Sequence, residues 1–172
     1  MFEETGFSRD FLRLAAIPGQ RPHAAAVLRG SEDGAKIRGQ VWFYQTERGV
    51  LVAAELSGLP TTDEACASPI FAFHIHDGAT CSGDHSEPFS GAMGHFDPEG
   101  CPHPYHAGDL PPLFGSKGYA LSIFLTDRFT VPQIMGKTVI VHARPVDFTT
   151  QPSGNAGARI ACGEIRPYPK QP

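Results

Sequence analysis

The sequence lacks a long hydrophobic run, an excess of basic residues and an internal repeat. Gly, Pro or a charged residue interrupts every apolar stretch, whereas a membrane-spanning helix needs about 20 apolar residues. Lys and Arg number 14 against 18 Asp and Glu, so the net charge of −4 provides no basic field for nucleic acid or anionic lipid. We therefore expect neither a nucleic-acid partner nor a membrane partner.

The N-terminus also lacks the pattern of a secretory leader, because it has no basic start and Arg13 interrupts its apolar patch. Ser8 is a suitable cap for a short helix at 10–16. We therefore interpret 1–21 as an N-terminal extension with a short helix. A cytoplasmic protein is expected if Met1 is the native start, and a periplasmic or secreted one if a leader has been removed.

Turn-forming residues are abundant, with 19 Gly and 16 Pro. Between the turns, seven segments alternate apolar and polar residues with a period of two, as strands with one buried face do. These segments are 24–28, 36–46, 50–56, 70–76, 119–125, 137–142 and 160–165. The pattern predicts a single all-β domain at 22–166, a sandwich or closed barrel, followed by a tail at 167–172.

Two stretches between the predicted strands, 77–118 and 143–158, are too long to be ordinary turns. Loops of this length in a compact domain are usually functional. They begin directly after His76 and His142, respectively. A functional site is therefore expected where these two loops leave the strands.

His74 and His76 lie two residues apart in a predicted strand, so both imidazoles lie on one face. Such a pair can bind one metal ion through both imidazoles. The alternative is that two exposed histidines on a polar sheet face give the same pattern without a metal. His142 ends another predicted strand and can complete a site with them. An all-nitrogen site with an open position suits copper and one-electron chemistry.

Further histidines and an aspartate follow in the first long loop: His95, His103, His106 and Asp109. Three imidazoles and one carboxylate match the tetrahedral shell of a structural zinc site. The alternative is a polar surface loop that is rich in histidine by chance. The Pro and Gly residues between these side chains favour the zinc interpretation, because they let a short segment fold back around an ion.

Taken in order, these motifs resemble the copper/zinc superoxide dismutases over 22–165. The resemblance rests on FHIH at 73–76, GHFDP at 94–98, HAGDL at 106–110, VH at 141–142 and GNAGARIACG at 154–163. It implies an eight-stranded Greek-key β-barrel, related to the immunoglobulin-like sandwich, and therefore one strand beyond the seven. It also implies superoxide as substrate, disproportionated to oxygen and hydrogen peroxide with copper and zinc as cofactors.

The resemblance further implies the two sets of metal ligands. The copper ligands are His74, His76, His95 and His142. The zinc ligands are His95, His103, His106 and Asp109. His95 then bridges both metals and serves as a catalytic acid, and Arg159 is the catalytic cation that attracts the superoxide anion.

Cys162 corresponds to one half of the family's disulfide, and Cys81 is the best candidate for the other half. Cys66 and Cys101 are then left either to pair with each other or to remain free thiols. The family also has an aspartate that links ligands of the two metals through their outer ring nitrogens. Val146 stands at that place here, so Asp147 is the candidate for this role.

Two other hypotheses of function are compatible with the same fold. A non-enzymatic copper carrier or store on the same barrel would not need Arg159 or the zinc ligands. A copper-only enzyme would keep its activity after substitution of His103 or His106. The family contains many dimers, so a homodimer is compatible with the resemblance, but the sequence does not fix the oligomeric state.

Overall fold

The computed structural model describes residues 21–32, 34, 36–64 and 69–169. The predicted helix at 10–16, Cys66 and the last three residues lie outside this part of the chain. No helix in the described part is long and apolar enough to cross a membrane.

The described chain forms nine strands and very little helix. The strands are β1 Ala24–Gly30, β2 Arg38–Thr46, β3 Gly49–Ser57, β4 Ile70–Phe71, β5 Phe73–His76, β6 Leu113–Phe114, β7 Ala120–Thr126, β8 Thr138–His142 and β9 Arg159–Pro167. A four-residue helix, α1 Val131–Ile134, and a 3-10 turn, Ser90–Ala92, complete the secondary structure. Each of the seven segments with a period of two contains a strand, which confirms the all-β prediction.

Seven of the strands form one antiparallel sheet in the order β5-β8-β9-β1-β2-β3-β7. β4 pairs with β6 in a second, two-stranded sheet. β4 and β5 are separated by one residue, Ala72, so the two sheets share an interrupted strand. Counted in this way the fold has eight strands in a curled antiparallel arrangement, consistent with the Greek-key barrel.

The segment predicted as one strand at 70–76 is divided at Ala72, because the chain pairs with β6 before this residue and with β8 after it. Its amide donates to the carbonyl of Arg144, and its carbonyl accepts from the amide of His142. The strand beyond the predicted seven is β6, whose two residues are too short a run for a period of two to be visible. β9 also continues to Pro167, and Tyr168 donates to the carbonyl of His23, so the first residues of the predicted tail pair with the sheet.

The alternation within the strands determines which side chains form the core. On β2, Val41 and Phe43 are fully buried in the main hydrophobic cluster, and on β8 Val139 and Val141 join them. Burial of each such side chain stabilises the fold by roughly 1.5–3 kcal/mol. The core fixes β5 and β8 side by side, and these two strands carry three of the predicted copper ligands.

Candidate metal centre

β5 positions His74 and His76 opposite Ile140 and Thr138 of β8. Phe73 and Ile75 alternate with the histidines and are fully buried in the core. The two histidines are also buried, each 1% exposed. The histidine face of the strand is therefore not a polar surface, because the first long loop covers it.

The loop covers this face by running along the free edge of β5. The backbone of His76 bridges that of His95, and the backbone of His74 bridges that of Asp109. Gly108 makes this approach possible, since a Cβ atom on it would lie 2.2 Å from the carbonyl oxygen of Ile75. The glycine of the HAGDL motif thus brings the loop ligands beside the strand ligands.

The first group of donor atoms comprises His74, His76, His95 and His142, and these atoms lie within 4.8 Å of one another. Nε2 of His76 lies 3.3 Å from Nε2 of His142. The opposite nitrogens are anchored: Nδ1 of His76 is 2.9 Å from the carbonyl oxygen of Met93, and Nδ1 of His142 is 3.1 Å from that of Gly157. These bonds place the proton on Nδ1 and aim the Nε2 lone pairs at a common point.

The second group comprises His95, His103, His106 and Asp109, again with donor atoms within 4.8 Å of one another. Asp109 is its centre. One carboxylate oxygen lies 2.7 Å from Nδ1 of His95, and the other lies 3.0 Å from Nδ1 of His103 and 3.3 Å from Nδ1 of His106. Three nitrogens and one oxygen are a donor set that zinc accepts.

His95 belongs to both groups. Its Nδ1 faces Asp109 in the second group, whereas its Nε2 is buried without a hydrogen-bond partner. The ring centroid of His95 lies 4.0 Å from that of His74 and 4.9 Å from that of His76. One imidazole ring therefore separates the two groups, with one nitrogen on each side.

Burial keeps the imidazoles of His74, His76 and His142 neutral. Desolvation, followed by the nearby His95, lowers the pKa of His76 to about 2. Desolvation also lowers the pKa of His142 to about 4, and it lowers the pKa of His74 as well. Neutral imidazoles offer the lone pairs that a metal ion needs.

Asp109 is ionised for a different reason. Burial raises the pKa of its carboxyl, but the hydrogen bond from His95 and the electrostatic interactions with His95, His103 and His106 outweigh burial, so the net shift is downward. The second group thus offers a carboxylate to a cation.

Unpartnered nitrogen atoms show that metal ions fit these groups. Both ring nitrogens of His74, together with Nε2 of His95 and Nε2 of His103, are buried without a hydrogen-bond partner. Leaving buried polar atoms unpaired destabilises a fold, so clusters of this kind normally bind a ligand. Imidazole nitrogen suits both copper and zinc, which are the ions that this residue set accepts best.

Arg159 begins β9 beside the first group. Its Nη1 donates to the carbonyl of Phe89 at 2.6 Å, and its Nη2 donates to the carbonyl of Met93. Partial burial lowers the pKa of its guanidinium, yet an arginine stays charged in proteins. The structure therefore holds one positive charge next to the donor atoms of His76 and His142.

A disulfide fixes the loop that carries these acceptors. Cys81 and Cys162 are bonded, with Cα atoms 5.7 Å apart, which confirms the predicted pair. Cys162 lies on β9 three residues after Arg159, and Cys81 packs with Phe89 against Cys162 and Ile140. Cys101 is a half-buried free thiol within the described residues.

Asp147 belongs to neither donor group. Its carboxylate accepts hydrogen bonds from the amides and hydroxyls of Thr149 and Thr150. The bonds from Thr150 and Thr149 lower the pKa of this exposed carboxyl. The carboxylate thus organises its own turn, and none of the hydrogen bonds described for it reaches a histidine.

Three functional contacts had no signal in the sequence. The carbonyls of Met93 and Gly157 orient His76 and His142, and a backbone acceptor leaves no trace in residue type. Arg128 donates from Nη1 to the carbonyls of Pro104, His106 and Asp109, at 3.1 to 3.3 Å. It lies after β7, far in sequence from the loop that it holds.

Comparisons with known proteins agree with this geometry. The family model for copper/zinc superoxide dismutase matches residues 37–165. A superoxide dismutase [Cu-Zn] 2 of Aquifex aeolicus is 34% identical over 170 residues, which covers 90% of this chain and 93% of the relative. The Cu-Zn superoxide dismutase of Deinococcus radiodurans is 34% identical over 147 residues, 74% of this chain and 76% of the relative.

A solved structure confirms the fold. The Cu/Zn superoxide dismutase from Brucella abortus superposes with a TM-score of 0.67 at 21% identity, covering 82% of this chain and 98% of that chain. The family match extends over most of the sequence, and both donor groups lie within it. The chain therefore belongs to the copper/zinc superoxide dismutase family, oxidoreductases that disproportionate superoxide with copper and zinc as cofactors.

Proposed function

We propose that this chain binds copper through its first donor group and zinc through its second, and that superoxide reacts at the copper. The proposed copper ligands are His74, His76, His95 and His142, and the proposed zinc ligands are His95, His103, His106 and Asp109. The observation that carries the assignment is the shared ring of His95. It offers Nε2 to an all-imidazole group and Nδ1 to a group that contains a carboxylate.

The two groups differ in the chemistry they favour. Bound copper supplies one-electron redox chemistry by alternating between its two common oxidation states. An all-nitrogen group accepts both of these states. The group with the Asp109 carboxylate suits zinc, which has no redox chemistry and serves as a structural ion.

Arg159 attracts the substrate. Superoxide is an anion, and the net charge of −4 repels it at long range, so a local positive charge is needed to guide it. The guanidinium is fixed by the carbonyls of Phe89 and Met93 and lies close enough to His76 and His142 to disfavour their protonated forms. It therefore holds an anion near the proposed copper ligands.

His95 supplies the proton that one half of the reaction needs. Two superoxide anions and two protons yield one oxygen and one hydrogen peroxide. Nε2 of His95 has no hydrogen-bond partner, so it can accept a proton when it does not bind a metal. Nδ1 faces the second group, so zinc bound there would hold the ring in place while Nε2 takes up and releases that proton.

Two substitutions test the assignment of the metals. The variant His142→Ala is expected to lose copper and keep zinc, and the variant His106→Ala is expected to lose zinc and keep copper. Metal content is measured by mass spectrometry of the purified proteins. His85→Ala is the matched control, because that side chain is 74% exposed and belongs to neither group. Equal loss of both metals in each variant, with the fold retained, would contradict separate sites.

We also propose that the chain forms a homodimer through the outer face of β7. Leu121, Ile123 and Leu125 are 42 to 52% exposed there, and Phe114 on β6 is 66% exposed. Through the strand register this stripe continues onto Leu51 of β3. Monomers seldom expose continuous apolar patches, and a second copy of the chain would cover this one.

Light scattering tests the homodimer and should give twice the mass of one chain. The variant Leu125→Lys should give the mass of the monomer. A parent protein that is monomeric would contradict the proposal.

A further inference from the structure

A histidine that binds a metal through one ring nitrogen normally donates a hydrogen bond from the other. His76 and His142 follow this rule, since their Nδ1 atoms face the carbonyls of Met93 and Gly157. His95 uses Nδ1 towards Asp109 and offers Nε2 to the first group. The outer nitrogens of His74 and His103 have no such partner.

Both ring nitrogens of His74 and Nε2 of His103 have no hydrogen-bond partner, and the two residues are 1% and 3% exposed. Each ring gives one nitrogen to a metal, and for His103 this is Nδ1, which lies 3.0 Å from Asp109. One buried N–H group then remains on each ring. The ring centroids are 6.2 Å apart in an edge-on arrangement, so a single small acceptor group can lie between the two N–H groups.

His74 and His103 border the same cavity, which has a volume of about 450 Å³. This volume lies within the range of small-ligand sites, roughly 300–1,000 Å³. Leu110, Phe124 and Phe148 contribute apolar walls. A cavity with apolar walls and a few polar groups at one end favours an organic ligand over an inorganic ion.

Arg128 gives the cavity a positive charge. It borders the cavity and uses Nη1 on backbone carbonyls, which are neutral acceptors. None of the ion pairs among the described residues involves it. Asp109 also borders the cavity, but its oxygens face His95, His103 and His106. The ligand that complements this charge is an anion.

We propose that this cavity binds a small organic carboxylate, whose oxygens accept the outer N–H groups of His74 and His103. The apolar part of the acid packs against Phe124 and Phe148, and Arg128 stabilises its charge. Such a ligand orients one histidine from each metal group at the same time. The inference rests on the proposed ligand assignment, because metal binding leaves each ring with one N–H group to donate.

The test uses 4-fluorobenzoate with the diamagnetic protein that holds Cu(I) and zinc. Fluorine NMR should show saturable binding, and the imidazole N–H resonances of His74 and His103 should shift, whereas those of His76 and His142 stay in place. The neutral analogue 4-fluorobenzamide should bind at least about tenfold more weakly. Absence of saturable binding, or equal binding of the amide, would overturn the proposal.

A variant with its own carboxylate gives an independent test. Val146 borders the cavity, and a Cβ atom on Gly154 would lie 2.3 Å from Cγ2 of Val146 and 2.5 Å from Nε2 of His103. A carboxylate at position 146 therefore reaches His103. Val146→Asp should abolish 4-fluorobenzoate binding while copper and zinc are retained, and unchanged binding would overturn the proposal.

Thr62→Asp is the matched control for an added carboxylate, because Thr62 is exposed and is not among the residues that border the cavity. It should bind 4-fluorobenzoate as the parent protein does, and loss of binding in this control as well would overturn the local explanation. Metal content is measured on the same samples. A parent protein that retains neither copper nor zinc refutes the ligand assignment, whereas full metal content without 4-fluorobenzoate binding refutes this inference alone.

Discussion

His76 and Arg159 share one hydrogen-bond acceptor, the carbonyl oxygen of Met93. Nδ1 of His76 lies 2.9 Å from it, and Nη2 of Arg159 donates to the same atom. A proposed copper ligand and the cation proposed to attract superoxide are therefore fixed by one peptide group. The backbone at Met93 is unusual, with φ 61° and ψ −148°, a region that is almost restricted to glycine.

Met93→Gly should stabilise the protein. A residue other than glycine in this region costs about 1–3 kcal/mol, and the Met93 side chain is 60% exposed, so little packing is lost with it. The unfolded chain gains conformational entropy when glycine replaces methionine, which offsets part of this gain. We therefore expect the free energy of unfolding, measured in urea, to rise by about 1 kcal/mol.

Met135→Gly is the control for this prediction, since Met135 has an ordinary backbone with φ −61° and ψ 130°. Its substitution should lower the free energy of unfolding. Equal destabilisation of the two variants would contradict the assignment of strain to Met93.

Arg159→Gln should slow the reaction without removing the metals. The substitution changes the net charge from −4 to −5 and leaves no cation at this position to oppose the repulsion. We expect the second-order rate constant to fall by roughly tenfold or more, together with a weaker dependence on ionic strength. Pulse radiolysis measures both quantities.

Arg48→Gln, in the turn between β2 and β3, removes the same charge far from the metal groups and should keep the rate within about twofold. A similar loss of rate in both variants would show that net charge, rather than the position of Arg159, controls the encounter.

Removal of the disulfide should destabilise the fold. Cys81 and Cys162 are 81 residues apart, and closing a loop of this length stabilises a protein by about 4–5 kcal/mol in the chain-entropy model. We expect the double variant Cys81→Ser and Cys162→Ser to lose stability of this order in chemical denaturation.

The free thiol of Cys101 provides the control for the disulfide prediction. Cys101→Ser should change the free energy of unfolding by less than about 1 kcal/mol. A double variant as stable as this control would show that the cross-link contributes little.

The metal-free protein should lose stability as the pH falls below about 6.5. Burial lowers the pKa of His142 to about 4 and that of His76 to about 2, whereas both histidines titrate near 6.5 in the unfolded chain. Between pH 6.5 and about 4 the unfolded chain therefore binds protons that the folded protein does not, and the free energy of unfolding decreases with decreasing pH.

Denaturant unfolding at pH 7.5, 6 and 5 measures this slope. Loading with copper and zinc should move the loss of stability to lower pH, because bound metals compete with protons for the imidazoles. A constant free energy of unfolding of the metal-free protein over this range would contradict neutral, buried histidines.

Much of the fold and of the site was predictable because it depends on residue type and spacing. The period of two located the strands, and the i, i+2 spacing placed His74 and His76 on one face. The resemblance to the copper/zinc superoxide dismutases then implied the assignment of the loop ligands and the pair Cys81 and Cys162. These features need no knowledge of tertiary contacts.

Other features depend on contacts that the sequence does not encode locally. The acceptors that orient His76 and His142 are backbone carbonyls, which any residue supplies. Arg128 holds the loop across a long sequence separation, and Asp147 uses its carboxylate on the neighbouring threonines. The division of the strand at Ala72 follows from a change of pairing partner, which the period of two does not reveal.

Superoxide is proposed to react at a copper held by the all-histidine group beside a zinc site. The most direct test measures the rate of superoxide disproportionation against copper content, on samples of one preparation loaded with increasing copper at full zinc occupancy. We expect a rate proportional to copper content, with one zinc per copper at saturation. Full occupancy of both metals without disproportionation would contradict it and would identify the chain as a metal carrier or store.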